Sequence, residues 1–456
     1  MRSQTVQAAV SRKDRATSAI ELPAYPTYRA IRADWPDPIP PHWRILKLKY
    51  LATFSPSASE QRKAPSDLPV SFLPMEALGE RGELDLTQVK TLSEIGSGYS
   101  YFRDGDVLIA KITPCFENGK GAVAEGLENG IGFGTTELHV LRPAAGVNPR
   151  FLYYVSVSRS VRAFGTAVME GAGGQKRVPA PLLADFEHPA PELDEQHAIV
   201  SFLDCETTEI DALIERKERL IELLEEERAA LITRAVTRGL GPSVPMRDSG
   251  VEWLGEIPAH WSTRQGRYLY RALSLPPKED DGVVTAYRDG QVTLREKRRA
   301  EGYTFAIQEV GYQRVRAGDL VIQGMDAFAG AIGVSDSTGK CSPEYLVLDP
   351  LSPGTDNRYY AAALRLMAKR GYIFVVCNAV RERAPRFRIP EFRNVLLPQP
   401  PEPEQRAIAD FLDRETPKLT RLVSKIHEAI DRLREYRAAL ISAAVTGKID
   451  VRGKAA

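Results

Sequence analysis

The sequence predicts an α+β protein built of two similar strand-rich bodies separated by two long helices. Three observations predict it. The segment Glu195-Gln196, Ala198-Ile199, Phe202-Leu203-Asp204, Glu206-Thr207 recurs as Glu404-Gln405, Ala407-Ile408, Phe411-Leu412-Asp413, Glu415-Thr416, at a constant spacing of 209 residues. The stretches ahead of these segments repeat too, and duplicated elements at this scale imply a duplicated architecture. Lastly, both long segments place apolar residues every seven positions with no glycine or proline inside the heptads, which is the coiled-coil period.

In chain order, residues 1–32 are polar and patternless until Tyr25-Pro26 and Tyr28, and are expected to be a disordered N-terminal tail. The first body, 33–192, opens on Trp35, Ile39-Pro40 and His42-Trp43. The second, 251–401, opens on Trp253, Ile257-Pro258 and His260-Trp261. Gly105-Asp106-Val107-Leu108-Ile109 matches Gly318-Asp319-Leu320-Val321-Ile322, and the extended run from Glu137 matches the one from Glu344. Arg177-Val178-Pro179 is matched to Arg388-Ile389-Pro390. The spacing drifts from 218 to 213 to 207 and back to 211, so the bodies share a fold and differ in their loops. Short β-rich runs with Gly and Asp at the turns make strands their main content.

The first long helix, 193–240, follows Pro189-Ala190-Pro191 and stops at Gly239-Leu240-Gly241-Pro242, with a linker over 241–250. The second, 402–447, follows Pro398-Gln399-Pro400-Pro401, and 448–456 is a C-terminal tail. Proline disfavours helix at the preceding residue and so sets each start, and glycine caps the first helix at its end. The expected seam is Ile210, Lys217, Leu224 and Leu231, with Leu213 and Leu220, in the first helix. In the second it is Leu419, Ile426, Leu433 and Leu440, with Leu422, Ala429 and Tyr436. Each helix would be roughly 60 Å long, too long to bury its stripe alone, so the two stripes pair. The alternative is that each helix packs on the body that precedes it.

A chain of 456 residues is long enough for several cores. Lys+Arg 61 against Asp+Glu 60 leaves a net charge of +1, so any nucleic-acid surface must be a local patch. Cys115, Cys205, Cys341 and Cys377 lack metal-ligand spacing and read as free thiols of a reducing cytoplasm. No signal peptide or membrane span is legible, so a cytoplasmic location is expected.

Catalytic signatures are missing. Gly333 to Gly339-Lys340-Cys341 has the wrong interval and the wrong last residue for a phosphate loop. No Asn/Asp-Pro-Pro-aromatic run marks an adenine methyltransferase. Asp211, Glu215 and Lys217 could suggest a metal-dependent nuclease, but Asp211, Glu215 and Glu218 read better as a solvated helix flank, and the second copy has Thr420, Ser424 and Ile426 there. His42 and His260 recur as a pair, and a packing or capping role is the expectation. No metal site and no cofactor are expected.

The Trp…Ile-Pro-x-His-Trp openings, the Gly-Asp strands and the Pro…Glu-Gln-x-Ala-Ile…Phe-Leu-Asp…Glu-Thr helix starts, each present twice and in order, resemble the specificity subunits of type I restriction–modification systems. The resemblance covers nearly the whole chain from about residue 33. It implies two target recognition domains, each reading one half of a bipartite site in double-stranded DNA. It implies an antiparallel coiled coil that sets the spacing of the half-sites and docks two modification subunits, which carry the methyltransferase. It also implies recruitment of ATP-driven restriction subunits, and no catalysis by this chain itself. The competing readings are a coiled-coil protein-interaction adaptor and a fused restriction–methylation enzyme; the missing motifs oppose the latter.

Base reading needs Arg, Lys, Asn or Gln on an element that enters a groove. The second body carries a net charge of +4 and residues 33–190 of the first −2, so charge supports DNA contact in one body only. Two clusters stand out in the second: Arg295, Lys297, Arg298 and Arg299, and Arg381, Arg383, Arg386 and Arg388 around Phe387. The latter aligns with the glycine-rich loop ending in Gln175, Lys176 and Arg177 in the first body. The expected DNA-binding residues are therefore Gln175, Lys176, Arg177, Arg383, Arg386, Arg388, Arg298 and Arg299.

Overall fold

The computed structural model describes residues 23–30, 37–58, 64–96, 98–298, 310–377 and 386–453. The chain divides into two units, residues 1–216 with 428–456, and residues 217–427. Each unit holds one strand-rich body and parts of both long helices.

In the first unit an antiparallel sheet has the strand order 52–54, 138–143, 107–110, 121–123. A second four-stranded sheet, ordered 89–91, 69–73, 131–134, 100–103, lies in the same body. Leu73, Phe102, Leu108 and Val140 form the apolar core between them. Helix α1, Pro149–Ser156, follows the long strand; Asn148 caps it by accepting from the Arg150 and Phe151 amides, and Pro149 suits its first turn. The first long helix, α2, is Leu193–Arg238.

The second unit repeats the first sheet: strands 270–273, 345–350, 320–323 and 332–334 stand in the same order with the same antiparallel pairing. Helix α3, Asn357–Lys369, occupies the place of α1, and Asp356 caps it through the Arg358 amide. The second long helix, α4, is Glu402–Val445. In place of the second four-stranded sheet this body has two-stranded ribbons, 284–286 with 292–294 and 313–315 with 339–341. The drifting repeat intervals are thus loop and ribbon changes around a shared sheet. The Gly-Asp motif is a turn in both: Asp106 Oδ2 accepts from the Arg103 amide at 2.9 Å, and Asp319 Oδ2 from the Arg316 amide at 2.7 Å.

The repeated Glu-Gln pair fastens each long helix to its body. Glu195 accepts from the Tyr25 hydroxyl at 2.7 Å and meets His42 Nε2 at 2.8 Å. Glu404 meets His260 Nε2 at 2.7 Å and accepts from Trp261 Nε1 at 2.9 Å. Gln196 accepts from the Asn148 amide at 2.9 Å and donates to the Pro191 carbonyl at 3.0 Å. Gln405 does the same with Asp356 at 3.1 Å and Pro400 at 2.9 Å. The paired histidines are therefore half-exposed partners of helix carboxylates. Tyr25 is buried in this contact, so the segment read as a mostly disordered tail is anchored to the first body at this residue. Its aromatic ring found a pocket beside Trp43, with centroids 6.0 Å apart. The rest of that segment, 1–22 and 31–32, lies outside the described residues.

In the first unit, Leu203, Ile210 and Ile214 of α2 and Ile430, Leu440 and Ala444 of α4 are buried, and Arg437 Nε lies 3.1 Å from Asp211 Oδ1. The beginning of α2 is therefore beside the end of α4. In the second unit, Ala235 and Val236 near the end of α2 share a core with Ile408, Ala409 and Leu412 near the start of α4. The pairing is antiparallel in each unit. Four of the expected seam residues need correction, among them Tyr436, which is 41% exposed. Leu213, Leu220 and Leu422 are 40%, 44% and 44% exposed. Their places are taken by the next residues, Ile214, Ile221 and Val423. Ile210 is followed along the seam by a step of four, not three, and adjacent apolar pairs such as Leu213-Ile214 leave both steps open in sequence. Asp211 is also no solvated flank, being paired with Arg437 and with Arg81 at 3.7 Å.

Candidate nucleic-acid interface

In the first unit the glycine-rich loop is pinned at its base. Glu170 and Arg177 exchange backbone hydrogen bonds of 3.0 and 2.8 Å, and the Val178 amide donates to the Lys111 carbonyl at 2.9 Å. The Thr113 hydroxyl donates to the Gly174 carbonyl at 2.6 Å. Gln175, Lys176 and Arg177 are exposed on this anchored loop. Arg177 makes a bidentate pair with Glu137, Nη2 to Oε1 2.8 Å and Nε to Oε2 2.9 Å. Those hydrogen bonds hold the Glu137 carboxyl below its usual range. The pair orients the guanidinium and leaves it N–H groups to donate.

In the second unit the same place is occupied by Arg386. The Phe387 amide donates to the Gly324 carbonyl, and the Gly324 amide to the Glu344 carbonyl, both at 2.9 Å. Val178, Lys111 and Glu137 form the same ladder in the first unit. Arg386 then pairs with Glu344 at 3.3 Å as Arg177 pairs with Glu137. The structural counterpart of Arg177 is Arg386, at the 209-residue interval of the helices, and the sequence match to Arg388 was two residues out. The chain between has a different length in each loop, and the shared Val/Ile-Pro pair drew the alignment to Arg388. Arg388 is exposed before a short helix, its amide donating to Glu391 at 3.1 Å. Arg381 and Arg383 lie outside the described residues.

The cluster after residue 294 is internally engaged. Arg298 lies 2.8 Å from Asp289, donates to Gln291 Oε1 at 3.1 Å and stacks 4.0 Å from the Tyr287 ring centroid. Lys297 donates to the Ser337 hydroxyl at 2.7 Å. Arg299 lies outside the described residues. The carboxylate and ring around Arg298 make it a weaker candidate contact than Lys176. Among the described residues, no group of three His, Cys, Asp or Glu side chains could hold a metal ion, and no helix is long and apolar enough to cross a membrane.

Each unit thus holds a strand-rich body fastened to a long helix, with an exposed arginine, Arg177 or Arg386, paired with an acid ahead of the long strand. No protein-family model matches the chain. The chain is 34% identical over 209 residues to the type I restriction enzyme EcoEI specificity subunit of Escherichia coli, covering 44% of this chain. It is 37% identical over 168 residues to the EcoAI specificity subunit of the same organism, covering 36% of this chain. The matches span about a third of those relatives' length, 34% and 28%. The fold resembles a chain from a structure of type I restriction–modification complex assembly and conformational transition, with a TM-score of 0.66, 17% identity, and 91% and 100% of the two chains covered. It also resembles the HsdS subunit from Thermoanaerobacter tengcongensis, with a TM-score of 0.53, 16% identity, and 91% and 99% covered. The chain is thus similar in part of its sequence, and in fold, to specificity subunits of type I restriction–modification systems.

Proposed function

We propose that this chain is the DNA-recognition subunit of a type I restriction–modification complex. Each body reads one half of a bipartite duplex target, and the α2–α4 pair fixes the distance between the halves. The observation that carries this reading is the doubled arginine: in both bodies an exposed arginine, Arg177 or Arg386, pairs with the acid ahead of the long strand and precedes the same backbone ladder. A device that presents similar donors twice suits a target read twice. The chain contributes recognition, and two modification subunits carry the methyltransferase. Exposed apolar residues on the long helices, Leu213, Leu220, Leu223, Leu422 and Tyr436, support docking of these partners along the helices. Restriction subunits join the assembled complex.

The test is titration of labelled duplexes by the chain bound to its modification subunit, at several salt concentrations. Lys176→Ala is expected to weaken binding to all sequences and reduce the salt slope by about one. Loss of a base contact at Arg386 is expected to lower discrimination at one position of one half-site by about 1–3 kcal/mol. Unchanged affinity and salt slope in both variants would reduce these loops to ordinary solvated surface.

A further inference from the structure

The second unit contains a cavity of about 780 Å³, lined by α2, α3, α4 and the turn at Gly290. That volume lies within the range of small-molecule sites. Two arginines face into it from different helices, Arg228 of α2 and Arg365 of α3. Arg228 Nε is buried with no hydrogen-bond partner. Burial, and then the charge of Arg228, hold the Arg365 guanidinium below its usual pKa. The other arginines on the lining are neutralised: Arg288 by Asp326 at 3.0 Å, and Arg358 by Asp356 at 2.7 Å and Asp413 at 2.8 Å. Asp289, the acid that acts on Arg365, is itself 2.8 Å from Arg298. A Cβ on Gly290 would fall 2.1 Å from Arg365 Nη1, so glycine is what lets the guanidinium lie across that turn.

The repeat supplies an internal reference. The counterpart of Arg228, 209 residues on, is Arg437, which Asp211 neutralises at 3.1 Å. The counterpart of Asp211 is Thr420. The second unit has thus kept the arginine, lost its acid and added a second cation. A buried, unpartnered Arg228 Nε beside the desolvated Arg365 guanidinium is unfavourable, and an entering oxyanion would satisfy both. Ile232, Phe328, Ile332 and Leu412 give the cavity apolar walls for the remainder of a ligand.

We infer that this cavity binds a phosphate ester of nucleotide size, its phosphate on Arg228 and Arg365 and its less polar body against the apolar walls. The inference does not depend on the DNA-reading role. Its test is calorimetric and thermal-shift titration of the full chain with inorganic phosphate and with AMP, at ionic strength matched with chloride. AMP is expected to bind and to raise the melting temperature more than phosphate does. Arg228→Gln and Arg365→Gln should each weaken AMP by about tenfold or more, as loss of a charge-assisted contact does. Gly290→Ala, which displaces Arg365, should weaken it too, and Arg271→Gln, outside the cavity, should not. Without ligand, Arg365→Gln should melt no lower than the parent chain, because it relieves a like-charge contact; a clear drop would indicate a structural arginine and overturn the inference. Equal AMP affinity in the parent, Arg228→Gln and Arg365→Gln chains would overturn it as well. Displacement of bound AMP by a short duplex would assign the phosphate to DNA, and failure to displace it would assign it to a free ligand; either outcome retains the site.

Discussion

His139 and His188 sit in the first body as neutral side chains. His139 is 4% exposed with Nε2 2.9 Å from the Val178 carbonyl, and His188 is fully buried. Burial lowers both pKa values to about 4. The unfolded chain takes up these protons below about pH 6.5, whereas the folded chain resists them until about pH 4. Their stability contribution is therefore complete above pH 6.5 and is lost as the pH falls towards 4. Each contributes up to about 3 kcal/mol across that window. Urea midpoints at pH 7.5 and 5 should show this loss, and it should shrink in His139→Gln; an identical pH dependence in that variant would contradict a neutral buried imidazole. Glu195 is the other residue whose role the sequence marked only by its repetition. Removing its carboxylate in Glu195→Ala strands the Tyr25 hydroxyl, which should cost about 1–3 kcal/mol by thermal or chemical melting.

The long helices were legible in the sequence because a seven-residue repeat copied twice leaves little choice of element. Their seam was legible only in part. Positions 210, 224, 426 and 440 are buried as read, whereas 213, 220 and 422 belong to the outer face. The apolar neighbours at 214, 221 and 423 made the phase ambiguous, and only tertiary packing settles it. The contrast is measurable. Leu224→Asp should lower stability by about 3–5 kcal/mol through a charge buried in the seam. Leu213→Asp, on an exposed position, should stay within about 0.5 kcal/mol of the parent. Equal losses in the two variants would restore the seam first read from sequence. The shared sheet of the bodies was likewise legible in the Gly-Asp turns and matched strands. The ribbons that replace the second sheet in the second unit were not, because nothing in their short runs separates a pair of strands from four. The cationic loops were found through their glycines and arginines. Their correct equivalence, Arg177 with Arg386, came from backbone hydrogen bonds that no local motif records.

At the scale of the whole molecule, the doubled body and doubled helix fit the proposed reader of a bipartite site, in which Arg177 and Arg386 would each serve one half-site. Arg228 and its counterpart Arg437 show that the halves have diverged inside a shared frame: one arginine is neutralised within the chain, the other faces a cavity. On the proposed function, divergence of this kind would let two bodies of common fold select different half-sites. The claim is tested most directly by mapping methyladenine, by long-read sequencing, in DNA modified by this chain with its modification subunit. Two short specified blocks with a constant unspecified gap are predicted; substitution of Arg177 should relax one block and substitution of Arg386 the other, whereas Lys176→Ala should lower modification without relaxing either. A single continuous motif, or both blocks relaxing together, would contradict it.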